Sequence, residues 1–173
     1  MVGAMVRAFR LALLAAVAAT LCACGRPSTQ DRAAAAAREL LAAAWSEDAR
    51  AFESHVDRPA VRQDLRRRLS ELAQANTLSV EGGASDAVLD RMIAPAAFRL
   101  VDTRGGALTE APSEAQIRLL VSPMGKDRAC LHSSERQDQC LLTFGRDKRD
   151  WRLVGMAPAG FTIVVPPEPP TRG

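Results

Sequence analysis

Apolar positions along the chain change their spacing twice. An uncharged run, "LALLAAVAATLCA" from Leu11 to Ala23, follows Arg7 and Arg10. Helical spacing then takes over. "RAAAAARELLAAAW" is strongly helix-prone, and Leu41, Trp45, Phe52 and Val56 fall at helical intervals, with Asp48 capping a second segment that runs to Val56. Asp57 and Pro59 open another helix, in which Val61, Leu65, Leu69 and Leu72 share one face. "EGG" at 81–83 breaks the pattern, and "SDAVLDRMI" predicts a short helix capped by Ser85 and ended by Pro95. "AAFRLV" reads as a short apolar turn and "DTRGGALTEAPSE" as a loop. Beyond it, "QIRLLVSP", "RACLHS", "QCLLTFG", "DWRLVGMAP" and "FTIVV" are short apolar runs divided by turn residues. Their connections are too short for crossover helices, so they predict an antiparallel meander. The tail "PPEPPTRG" reads as extended and exposed.

Helices first and strands second predict an α+β domain with the helices packed on the sheet. The order resembles the cone-shaped folds related to nuclear transport factor 2 or cystatin. The expected organisation is a signal segment at 1–23, a tether at 24–31, a single domain at 32–165 and a Pro-rich tail at 166–173.

Composition narrows the partners. Only Lys126 and Lys148 are lysines among the 23 basic residues, there is no tyrosine, and aromatics are 4%. Few aromatics argue against a base-stacking surface. Removing residues 1–23 takes away Arg7 and Arg10 but no acid, so the net charge falls from +3 to +1. A near-neutral domain gives no reason to expect nucleic-acid binding.

The basic start, short apolar core and small residues before Cys24 are those of a secretory signal peptide, shorter than the ~20 apolar residues of a membrane span. The stretch resembles a bacterial lipoprotein precursor: Leu21 stands at −3, Ala23 at −1 and Cys24 at +1. That resemblance implies cleavage between Ala23 and Cys24, loss of Cys22, and diacylation of Cys24, whose acyl chains hold the protein on the membrane. It places the domain in the periplasm, and Gly25 at +2 favours the outer membrane over the inner. In such an oxidising compartment Cys130 and Cys140 are expected to pair. A hairpin centred near Glu135 puts them directly opposite one another, as a staple and not a redox site.

"HVDRPAVRQDLRRRL" is similar to a bacterial domain of unknown function with a V-D-[FY]-P-x-[LV]-R motif. Val56, Asp57, Pro59, Val61 and Arg62 match, and Arg58 replaces the usual aromatic. With "MIAPAAF" and "DWRLVG" the resemblance spans about residues 33–157. It implies a fold and an envelope location, and lends no activity. Physically, Asp57 caps a helix, Pro59 fixes its first turn, and Arg62 can pair with Asp57 or Glu53. The run Arg66, Arg67 and Arg68 spreads around a helix and reads as a solvated face.

No catalytic or metal signature emerges. His55 and His132 lack a nearby nucleophile pattern and metal-type spacing, and "EGGAS" and "RGGALT" follow no phosphate-loop motif. Glu47, Asp48 and Glu53 fall on helix faces. The favoured expectation is a lipid-anchored envelope protein of unknown biochemical role: a non-catalytic binding or structural module with no cofactor, for which an envelope protein is one candidate partner. The alternative is a small-ligand binder or enzyme using a cone cavity, with Asp57, Asp86 or Asp90 buried in it as general base.

Overall fold

Ser28 starts the first helix. Its hydroxyl accepts from the Asp31 N–H at 3.1 Å, and the Asp31 carboxylate accepts from the Ser28 N–H at 3.0 Å, a reciprocal cap. The Ser28 hydroxyl also donates to this carboxylate, and holds it below the usual range. The computed structural model describes residues 27–76, 83–134, 138–148, 150–158 and 162–170. The expected signal segment at 1–23, the expected lipidation site Cys24 and Glu135, the expected centre of the hairpin, lie outside them.

Helix α1, Thr29–Trp45, thus begins inside the stretch expected to be tether. Alanines rather than large residues make much of its core face: Ala33, Ala34, Ala37, Ala43 and Ala44 are buried beside Leu40 and Leu41. Small side chains bring the helix close to the elements beneath it. Trp45, expected on this face, is 42% exposed, and its Nε1–H donates to the Leu108 carbonyl at 3.2 Å. Helix α2, Ala49–Ser54, is capped by Asp48. Helix α3, Arg58–Ala75, buries Val61 and Leu65, but Leu72 is exposed where the helix runs past the core. Helix α4 is Asp86–Met92, with Ser85 at its start making no side-chain cap. A 3₁₀ turn at Pro95–Ala97 leads into strand β1, Arg99–Val101.

"QIRLLVSP" is mostly helix rather than strand. Helix α5, Glu114–Leu120, is set by a capping box between Ser113 and Gln116, and buries Ile117 and Leu120. Only Val121–Pro123 continue as β2. Strands β3 (Arg128–His132), β4 (Cys140–Asp147) and β5 (Asp150–Met156) complete an antiparallel sheet in the order β2-β3-β4-β5. Strand β6, Thr162–Val164, leaves the meander and pairs in parallel with β1, matching Arg99 to Thr162 and Val101 to Val164. "AAFRLV" is therefore turn and strand, not turn alone.

Two bulges bend the sheet. Leu141 is the extra residue of β4 opposite β3, and Val154 that of β5 opposite β4. Helix α1 packs on the sheet and against α5, while α3 packs against β5. Phe52 and Phe98 meet edge to face, 5.3 Å between centroids. The extended tail is tied to α5: Gln116 Nε2 donates to the Pro166 carbonyl and the Ser113 hydroxyl to Glu168. Among the described residues no helix is long and apolar enough to cross a membrane.

Candidate functional site

Residues 55–57 lie against the outer edge of β5. The Leu153 N–H donates to the His55 carbonyl at 2.8 Å, and the Asp57 N–H to the Leu153 carbonyl at 2.9 Å, a parallel bridge centred on Val56. With its backbone held by the sheet, Asp57 turns its carboxylate onto the Ala60 N–H at 3.1 Å and caps α3. Pro59 occupies the first turn, where no N–H is needed.

Arg62 does not pair with Asp57 or Glu53. Its Nε and Nη2 donate to the two oxygens of Asp90, at 2.8 and 2.6 Å. Arg58 bonds both Asp90, at 2.9 Å, and Glu53, which takes up the acid expected for Arg62. Arg66 pairs with Asp86. Arg58, Arg62 and Arg66 are four residues apart on α3, and Asp86 and Asp90 four apart on α4, so two charged stripes meet. The Arg62 hydrogen bonds hold Asp90 below the usual carboxylate range; partial desolvation opposes them and Arg58 reinforces them. Asp86 is exposed and Asp90 half-buried, at a helix–helix seam and not in a cavity. Arg67 and Arg68 both pair with Asp64 on their own helix, which accounts for the basic run.

A groove of about 750 Å³ opens between α3 and the sheet. Asp57 stands in its lining, with Asp64 and Arg67 on the helix side and Arg128, Gly145 and Arg152 on the sheet side. Gly145 is paired with Arg128 on one side and Arg152 on the other, so the two arginines flank a position without a side chain. Among the described residues these two arginines form no ion pair, whereas Arg146 pairs with Asp127. Asp64 crosses to the sheet, where Oδ2 accepts the Met156 N–H at 3.2 Å.

The third cluster lies on β2, β3 and β4. Cys130 and Cys140 form a disulfide with 5.6 Å between Cα atoms. They are not directly opposite: Cys130 faces Thr143 and Cys140 faces His132. The extra residue Leu141 shifts the register, and the bridge runs diagonally. His132 Nε2 lies 2.6 Å from Ser122 Oγ and its Nδ1 3.6 Å from Cys130 Sγ. Thr143 Oγ1 is 3.6 Å from Cys140 Sγ. Sequence spacing gave no sign of this, because Ser122 reaches His132 across neighbouring strands. His55, in contrast, is half-buried with Nδ1 3.7 Å from Glu39. The closing-strand Trp151 is buried, and its Nε1–H has no partner among the described residues. Nor is there, among those residues, a cluster of His, Cys, Asp or Glu suited to a metal ion.

The fold and these sites define an α+β domain of helices on an open four-stranded antiparallel sheet, stapled by one disulfide. The chain belongs to the family described as Protein of unknown function (DUF2939), whose model matches residues 16–108. The match covers α1 to α4 and β1 and ends before α5, short of the span to 157 implied by the motif resemblance. No curated protein and no solved structure matches the chain.

Proposed function

We propose that this protein is a lipid-anchored module of the cell envelope that binds an envelope protein and carries out no catalysis of its own. The observation that carries this reading is the lipobox Leu21-Cys22-Ala23-Cys24 behind a basic, then apolar, segment. Cys24 holds the acyl chains after cleavage behind Ala23, and the domain faces the periplasm on the outer membrane. The Cys130–Cys140 disulfide suits an oxidising compartment. The helix cap at Ser28, close after Cys24, suits a domain held near its anchor. Mass spectrometry of the N-terminal peptide from native membranes tests the reading. A diacylated Cys24 is expected; an unmodified peptide beginning before Cys24 refutes it.

The groove favours a second reading, a binder of a small anionic ligand. Arg128 and Arg152 flank Gly145 there without partners among the described residues, and guanidinium groups suit carboxylate or phosphate. Calorimetric titration with pyrophosphate and with citrate separates the two readings: saturable binding lost in Arg152→Ala supports the second.

A further inference from the structure

We propose that the Cys130–Cys140 bridge is an exchange-competent disulfide that captures a low-molecular-weight thiol at Cys140, with His132 as the positioning residue for the departing Cys130 sulfur. The two sulfurs are unequal. Cys130 is 1% exposed and Cys140 half-buried, so an external thiolate reaches Cys140. The imidazole sits beside the other sulfur, with Nδ1 3.6 Å from Cys130 Sγ. A disulfide sulfur carries no hydrogen, so the hydrogen bond runs from Nδ1–H to Sγ. Nε2 of the neutral ring then accepts the Ser122 hydroxyl hydrogen at 2.6 Å. Ser122 fixes the ring orientation; the sulfur, which can only accept, requires the proton on Nδ1, and the serine hydroxyl can donate to Nε2 to match. Thr143, 3.6 Å away, is the polar neighbour of Cys140.

This arrangement matches the demands of thiol–disulfide exchange. The rate rises with the stability of the leaving thiolate and depends on which sulfur is accessible. A thiol enters as its thiolate, its proton having gone to solvent. It bonds to Cys140 Sγ, the Cys130–Cys140 bond breaks, and the electron pair leaves on Cys130 Sγ, where Nδ1–H meets the new charge. One disulfide is consumed and one formed, with no net oxidation. Attack at Cys130 would release Cys140, whose sulfur lies 3.6 Å from the Thr143 hydroxyl, a weaker donor to a thiolate than the imidazole N–H aimed at Cys130. Hydrogen bonding and accessibility therefore favour the same direction.

The test uses the full chain in detergent micelles, with reduced glutathione as the thiol and N-ethylmaleimide added to cap any released cysteine. Peptide mapping separates Cys130 from Cys140 and both from the acylated Cys24. Glutathione is expected on Cys140 and maleimide on Cys130. His132→Ala should slow conjugation about tenfold, the scale of one hydrogen bond to a charged group. His132→Gln, which keeps an N–H donor, should restore part of the rate, and Ser122→Ala should fall between wild type and His132→Ala. Glutathione on Cys130, or equal rates in wild type and the His132 variants, overturns the proposal. If His132→Ala fails to fold, the wild-type map decides by itself, because conjugation at Cys130 is incompatible with the proposed direction.

Discussion

The carboxylate of Asp64 rests directly on the backbone of Gly155. A Cβ added to Gly155 would stand 2.6 Å from Asp64 Oδ2 and 2.9 Å from Cγ. The absent side chain lets α3 close on β5, where the carboxylate accepts the Met156 N–H.

Gly155→Ala should therefore destabilise the protein by about 1–3 kcal/mol, the range for forced overpacking. Urea denaturation measures it. Because the clash is with one side chain, the cost of Gly155→Ala should shrink in an Asp64→Ala background. Strictly additive costs would show that the two residues do not oppose each other.

Asp90 should make the seam between α3 and α4 sensitive to acid. Its folded pKa lies below the ordinary 3.8, chiefly through Arg62. A depressed carboxylate stabilises the fold above its unfolded pKa, and that contribution is lost as pH falls through the folded value. Asp90→Asn should lower Tm near pH 7, and its gap from wild type should close below pH 4. A gap that stayed constant across this range would refute the assignment.

Ile117 and Leu119 separate a helix from a strand. In a strand they share a face; in α5, Ile117 is buried and Leu119 is 60% exposed. Ile117→Ala should cost about 2–4 kcal/mol and Leu119→Ala less than about 0.5 kcal/mol. Similar costs at both positions would return the segment to a strand.

Replacing both Cys130 and Cys140 by alanine should cost up to about 3 kcal/mol, the closure entropy of a loop this short. The variant should remain folded, because β3 and β4 also share a ladder and a core. Loss of the cooperative transition would instead make the bridge a condition of folding.

Local chemistry was legible in the sequence, and long-range pairing was not. Asp57 and Pro59 announced the start of α3, because a cap and a first-turn proline act within one turn. The apolar runs of β3, β4 and β5 identified the hairpins, whose partners are adjacent in the chain. Cys130 and Cys140 were legible as a pair, though not their diagonal geometry, which one extra residue decides. "QIRLLVSP" misled because its apolar run suggested a strand, while the local signal, Ser113 three residues before Gln116, was a helix start. Strand β1 was missed because its partner β6 lies far along the chain. Although Arg66 reads with Arg67 and Arg68 as a solvated run, the i, i+4 spacings of Arg58, Arg62 and Arg66 and of Asp86 and Asp90 stand in the sequence. That they face each other follows from how α3 and α4 fold together, which neither helix encodes alone. The Ser122–His132 contact was hidden in the same way.

The parallel pairing of β1 with β6 separates inheritance from folding. The family match stops at residue 108, yet elements inside it close on elements beyond it. Strand β1 needs β6, the 55–57 segment leans on Leu153, and Asp64 reaches the Met156 N–H. A fragment cut after residue 108 would keep the recognisable sequence but lose each of these counterparts, turning the alanine face of α1 from sheet to water. The stretch that the family model matches is therefore one part of a single packed core, and a variant in the unmatched strands can unfold the helices that the family model describes.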